Sequence, residues 1–300
     1  MLVQSDARPF HECRPTSRGR RPPSAAVERQ ALVRQKHYSE HMKRIGALAG
    51  LVTVLAQPVF AQSPGCTASN AAIRLDHAIV VVRDLDAAAA RFAPLGFRFK
   101  RGRLHPDSLL NRHIKFRDGS EIELMTLAGT PTSPMANDYA ARLAAGEGGV
   151  YAALWTTDLD RVESAARRLG DPRLTKAGAW TFLSLPNVQD TQAIFFGDGG
   201  LPANDPASVL AHPNGAERLT GVWLEGGPRL DTLLTQLGAH PCGTMRVPDG
   251  RLGTRWALLQ GSLVVVPGGK ARVLGVEVSR RRASQPAQYE PLPGFWIRLQ

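Results

Sequence analysis

Leu75-Asp76-His77-Ala78-Ile79-Val80-Val81-Val82 is followed by Asp84-Leu85-Asp86 and by an alanine-rich segment from Ala87 to Leu95-Gly96. The apolar, β-branched run predicts a strand. The segment behind it predicts a helix, with Asp84 as N-cap and Gly96 as the stop. The same order returns twice. Gly149 to Thr156 leads into Asp158-Leu159-Asp160 and on to Leu169-Gly170. Leu219 to Glu225 leads into Leu230-Asp231 and on to Leu237-Gly238. A repeat at a spacing of roughly 70 residues sets the architecture before single residues are read.

Working outward, Phe97 to Lys100 and Ile114 to Arg117 alternate like strands, Asp118-Gly119 is a hairpin turn signal, and Glu121 to Leu127 closes the first unit. Its order is β-α-β-β-β. Ala136 to Gly146 reads as a connecting helix. The second unit has a strand at Val150 to Thr156, a helix at Leu159 to Leu169, and strands at Trp180 to Leu185 and Gln192 to Phe196. A Pro/Asn/Gly/Asp-rich connector runs from Gly197 to Gly215. The third unit has a strand at Leu219 to Leu224, a helix at Arg229 to Leu237, and strands at Thr254 to Leu259 and Leu263 to Val266, with a final strand at Val273 to Val278. The expected fold class is α+β, with units at 73–128, 149–197 and 217–278.

The N-terminal part reads differently. Met42-Lys43-Arg44, the apolar run Ile45 to Ala56, and Val59-Phe60-Ala61 before Gln62 have the layout of a secretory signal peptide. The run is shorter than the roughly 20 residues that span a bilayer. Residues 1–41, rich in Arg and Pro, read either as an over-extended start or as a disordered basic arm. Residues 62–72 read as a flexible lead. The expected location is periplasmic or secreted. The formal charge of +11 falls to about +5 without the ten basic and four acidic residues of positions 1–61. With Arg280-Arg281-Arg282 as the one dense cluster left, nucleic-acid binding is not expected, nor a stable membrane span in the mature chain. Cys66 and Cys242 remain. A disulfide between them and two unpaired thiols are both open on the sequence.

Leu75 to Val81, Asp84 to Ala87, Leu95-Gly96-Phe97 and the closing Glu121-Ile122-Glu123-Leu124 resemble a glyoxalase-like domain of the vicinal oxygen chelate superfamily. His105-Pro106, Asn111-Arg112 leading into Phe116, and His212-Pro213-Asn214-Gly215-Ala216 resemble a glyoxalase-like branch with extended chains. The resemblance implies paired βαβββ modules whose mixed sheets curl around a pocket. It also implies a divalent metal (Zn, Mn, Ni or Fe) held by side chains of first and last strands, here His77 and Glu123. Strand alternation puts Leu75, His77, Ile79 and Val81 on one face, and Glu121, Glu123 and Met125 on one face.

The second unit departs from the pattern: Tyr151 and Phe195 fall where it would offer further ligands. The third offers Leu219 to Val222 and Val264 to Val266 there. His105, His113 and His212 are the remaining imidazoles that could complete a site. Asn111, Arg112, Tyr151 and His212 are candidate substrate contacts, Arg112 through its planar fork.

The resemblance implies an enzyme of lyase, isomerase or dioxygenase type acting on a small oxygen-chelating substrate, possible with a metal. The alternative is a non-catalytic small-molecule binding or sequestering protein with a degenerate site. Export argues against glutathione adducts as substrates. Pairing of units within one chain and pairing of the odd third unit across a homodimer are both open on the sequence.

Overall fold

The computed structural model describes residues 66–198, 205–281 and 286–300. The basic arm, the signal-peptide segment and Gln62 to Gly65 lie outside the described residues. The chain runs β1 (Ile73–Val81), α1 (Leu85–Phe92), β2 (Lys100–Leu104), β3 (Leu109–Lys115), β4 (Glu121–Leu127), α2 (Pro134–Ala145), β5 (Gly148–Thr156), α3 (Leu159–Arg167), β6 (Arg173–Ala177), β7 (Trp180–Ser184) and β8 (Ile194–Asp198). It continues through α4 (Ala207–Leu210), β9 (Ala216–Gly226), α5 (Pro228–Gln236), β10 (His240–Arg246), β11 (Leu252–Ala257), β12 (Ser262–Pro267), β13 (Val273–Arg280), β14 (Ala287–Leu292) and β15 (Phe295–Leu299).

Local chemistry starts the helices. The Asp84 carboxylate accepts from the Asp86 and Ala87 N–H groups, and Asp158 accepts from Arg161 N–H. Ser133 accepts from Ala136 N–H at the start of α2, with Pro134 in the first turn.

The fold is α+β on a mixed sheet. Within each βαβββ group the first strand pairs parallel with the last: β1 with β4, β5 with β8, β9 with β12. Groups join through their first strands, β1 antiparallel to β5. In the second half β9 is antiparallel to β13, which is parallel to β15. The strand at Val273 therefore does not close the third group. It opens a fourth, β13-β14-β15, without a helix of its own among the described residues. The third group finds its partner within the chain, so it gives no reason for pairing across a dimer.

The strands that the sequence pattern does not announce have physical reasons to be silent. β6 is exposed at every residue, and β10 carries Pro241 and Gly243 and is mostly exposed. β14 contains Pro291, and β15 is only five residues long. β2 begins at Lys100 rather than Phe97, and Phe97 and Phe99 pack on the helix-side core ahead of it.

One large apolar cluster takes Leu85, Ala88 and Phe92 of α1, Val162 and Ala165 of α3, Leu230 and Leu233 of α5, and alternate residues of strands from both halves. α1 also packs on β14, which covers part of the helix-less group. Two smaller clusters lie on the opposite sheet faces, one per half. The first half's contains Ile79, Val81, Met125 and Tyr139; the second's contains Trp223, Met245, Val264 and Leu274. The halves meet where Val273 of β13 pairs with Gly149 of β5. A Cβ on Gly149 would lie 2.5 Å from the Val273 carbonyl oxygen, so only glycine permits the approach.

Cys66 and Cys242 form a disulfide with Cα atoms 5.7 Å apart, packed on Ala68, Ala71 and Ala257. It ties the segment before β1 to β10. Among the described residues no helix is long and apolar enough to cross a membrane.

Candidate functional site

Simple alternation along β1 would put Leu75 beside His77. It does not. Leu75 pairs with Leu154 and His77 with the next residue of β5, Ala153, so Asp76 is an extra residue in the ladder. This bulge turns Leu75 toward the helix-side core with Ala78 and Val80, and leaves His77 on the opposite face with Ile79 and Val81. On β4, Glu121, Glu123 and Met125 alternate with Ile122 and Leu124 of the helix-side core, as the pattern requires.

His77 and Glu123 face each other, Nε2 to Oε2 at 3.6 Å. Each is held from behind. Asp76 Oδ2 lies 2.8 Å from His77 Nδ1. Asn111 of β3 donates from Nδ2 to Glu123 Oε1 at 2.7 Å. The amide of Asn111 is oriented in turn, since its Oδ1 accepts from Arg103 N–H at 2.9 Å. Asn111 Nδ2 also lies 3.2 Å from His105 Nε2. Gly102 makes the crossing feasible, because a Cβ there would sit 1.9 Å from Asn111 Oδ1. A chain of contacts thus runs from His105 through Asn111 and Glu123 to His77 and Asp76.

Charge is concentrated here. Burial pulls the His77 imidazole down, but the hydrogen bond to Asp76 and the charges of Asp76, Glu123 and Glu121 outweigh it and raise its pKa to about 9. Burial pushes Glu121 up. The hydrogen bond and charge of His113, with the charges of His77 and Lys115, outweigh that and hold it at about 2. Glu121 lies 3.2 Å from His113 Nδ1 and is paired with the Lys115 ammonium.

The second group supplies rings. Phe195 of β8 meets His77 edge-on at 5.9 Å, and Tyr151 of β5 meets Phe195 at 5.7 Å. The Tyr151 hydroxyl is bound to Asp138 and to Arg142 of α2, and the Arg142 guanidinium lies over its ring. Burial, ahead of every other influence, pushes the Tyr151 hydroxyl well above its usual range.

His77, Glu123, Asn111 and Tyr151 therefore come to one face. Two other expected contacts do not. Arg112 is on the opposite face of β3, because strand neighbours alternate, and pairs with Asp86 at 2.6 Å. His212 is buried between Phe97 and Phe116. Its Nδ1 accepts from Arg98 N–H, and its Nε2 donates to the Lys115 carbonyl. It fastens a connector to the first group. Asp76 and Gly102 were not legible as site residues. The signals they left are an acid inside an apolar strand and a glycine inside a basic one.

A family profile described as a glyoxalase-like domain matches residues 75–238, more than half of the chain. The chain belongs to the glyoxalase-like family. That family match makes it a glyoxalase-like protein of the vicinal oxygen chelate superfamily. A hypothetical protein from Staphylococcus aureus aligns at 14% identity over 76% of this chain and 98% of its own, with a TM-score of 0.52. An extradiol ring-cleaving dioxygenase from B. fuscum aligns at 12% identity over 79% and 73%, with a TM-score of 0.51. At such identities the likeness concerns the fold alone. No curated protein matches the chain by sequence.

The resemblance implied a divalent metal, so the donors of the site bear testing against one. His77 Nε2 and Glu123 Oε2 are suitable in kind. Catalytic zinc sites take three protein ligands, and the second group offers Phe195 and Tyr151 where a third would stand. Among the described residues no three His, Cys, Asp or Glu side chains form a metal-binding group. The described residues thus offer two donors, one short of the set that catalytic zinc sites take.

Proposed function

We propose that this glyoxalase-like face binds a small organic molecule with a carbonyl oxygen beside an acidic C–H, and that His77 and Glu123 move a proton on it. Glu123 Oε2 takes the proton from carbon, and the His77 Nε2–H donates a hydrogen bond to the oxygen on which charge builds. The proton is returned at a neighbouring atom for isomerisation, or a β-substituent departs for elimination. The observation that carries this reading is the facing pair at 3.6 Å, each member fixed from behind by Asp76 or Asn111. Such fixation holds the two groups in register for transfer. The superfamily membership supports an enzyme of this general kind.

A second reading keeps a divalent ion (Zn, Mn, Ni or Fe). It is favoured by the partners of the pair, since metal-bound imidazoles and carboxylates are commonly oriented by such outer hydrogen bonds. His77 and Glu123 would be the protein ligands, and solvent or substrate oxygens would have to complete the shell. When bound, the ion would supply Lewis-acid polarisation of substrate oxygens.

The experiment is elemental analysis of the chain from Gln62, purified without chelators or an affinity tag, together with mass spectrometry of any small molecule released on denaturation. Metal-free protein that exchanges substrate C–H for deuterium, with exchange lost in Glu123→Gln and His77→Gln, is the expected result. Near-stoichiometric metal lost in both variants would replace it with the second reading. A retained ligand without exchange or turnover would leave a sequestering protein.

The mature protein is further proposed to be periplasmic or secreted. The signal-peptide pattern ending at Ala61 and the Cys66–Cys242 pair support this. N-terminal sequencing of the native protein tests it, with Gln62 as the expected first residue.

A further inference from the structure

Five aromatic rings beside the polar pair have no part in proton transfer, and three of them form a path from solvent to His77. Trp180 at the start of β7 is 37% exposed. It stacks on Phe182 with the ring planes 2° apart and centroids 6.3 Å apart. Phe182 meets Phe195 edge-on at 5.7 Å, and Phe195 meets His77 at 5.9 Å. Tyr151 flanks Phe195, and Tyr139 backs Tyr151 from behind. The polar atoms come from β1, β3 and β4. The exposed end of the path comes from β7 and β8.

The position of Phe195 is informative. It pairs in register with Ala153, which stands opposite His77. The second group thus presents a small residue and a ring to the imidazole, where a polar side chain could have joined it. An exposed tryptophan stacked on a half-buried phenylalanine offers flat apolar surface that water covers poorly and another ring covers well. The path begins in a stacked pair at the surface and ends, through edge-on contacts, at the groups that would meet substrate oxygens.

We infer that this site selects a planar ring-bearing molecule, with the ring lying along Trp180, Phe182 and Phe195 and its oxygen-bearing substituent reaching His77 and Glu123. The inference rests on the acid–base reading for where the oxygens go. The ring preference stands on the wall.

The test uses two probes that carry the same oxygens on a flat and a puckered ring, α-hydroxyacetophenone and 1-cyclohexyl-2-hydroxyethanone. Binding of each to the chain from Gln62 is measured by calorimetry and by tryptophan fluorescence. The flat probe is expected to bind about tenfold tighter, a difference of the size ring stacking supplies. Trp180→Leu, which keeps apolar bulk, should reduce that preference to about twofold without weakening the cyclohexyl probe, and should remove the fluorescence change. Trp180→Leu/Phe182→Leu should abolish the preference. Equal affinity for the two probes, no binding of either, or a preference that survives both variants would overturn the inference. His77→Gln and Glu123→Gln separate the two readings. If they bind both probes as the parent does while the Trp180 variant loses its preference, the wall stands and the acid–base assignment falls.

Discussion

The two halves of the molecule share a strand plan and fill it with different chemistry. In the first, a pair of βαβββ groups brings His77 and Glu123 face to face and surrounds them with separately anchored side chains. In the second, β13 carries Glu277, whose carboxylate takes both terminal nitrogens of Arg255 at 2.7 Å, with Ser262 on the same guanidinium and Arg298 at 3.8 Å. In that network the Glu277 carboxylate is held by two arginines. Beside it Val247, Leu274, Arg272 and Trp296 line a cavity of about 210 Å³ without an imidazole. The lesson is that this topology offers a polar position at the heart of each sheet, and the residues decide whether it becomes a reactive pair or a structural brace.

The brace should be the more costly one to break. Glu277→Ala leaves the Arg255 charge without its partner, with Glu277 only 1% exposed, and should lower stability by about 3–5 kcal/mol. Glu123→Gln should cost far less stability and remove ligand exchange instead. Urea unfolding of both variants checks the contrast, and equal losses would erase it. Opening the Cys66–Cys242 bridge by Cys66→Ser/Cys242→Ser should cost about 2–4 kcal/mol, seen as a lower Tm, and leave probe binding in the first half unchanged.

The pH response should be specific to the first half. The His77 pKa is raised, so its stabilising contribution is complete below the unfolded value of 6.5 and is lost as pH rises through about 9. Stability should fall across that window by at most about 1.4 kcal/mol per pH unit, and His77→Gln should flatten the slope. Glu121 is depressed, so its contribution is present above 4.5 and is lost as pH falls toward about 2. Denaturant midpoints measured from pH 3 to 10 check both limbs. The smallest effect is expected from Arg112→Ala. Its partner Asp86 is highly exposed, so the loss should stay below about 1 kcal/mol, with probe affinity unchanged. A large loss of affinity would return Arg112 to the site.

Much of the first half was legible in its residues because its period and its polar pair coincide. β-branched density and Asp caps announced β1 and α1, and Glu123 sits on the face that alternation gives it. His77 keeps the face that alternation with Ile79 and Val81 gives it, whereas Leu75 does not, since a single inserted residue cannot be seen in a period of two. Arg112 and His212 misled for the opposite cause. Their side chains suit ligand recognition, but one points across β3 toward α1 and the other is claimed by two backbone groups. The fourth group was missed because β14 and β15 are short and interrupted by proline and glycine, and their pairing with β13 is set by distant segments.

That fourth group has a consequence for how the protein is made. β13 is the strand between β9 and β5, yet it lies within the last 30 residues of the chain. During synthesis at about 5–20 residues per second, β9 emerges with one edge open for seconds before β13, which pairs along it, leaves the ribosome. Open edges invite pairing with other chains. A short truncation at the C-terminus should therefore harm yield more than the loss of a few surface residues would suggest, and the nascent chain should depend on a holding chaperone until Val273 to Arg280 is free.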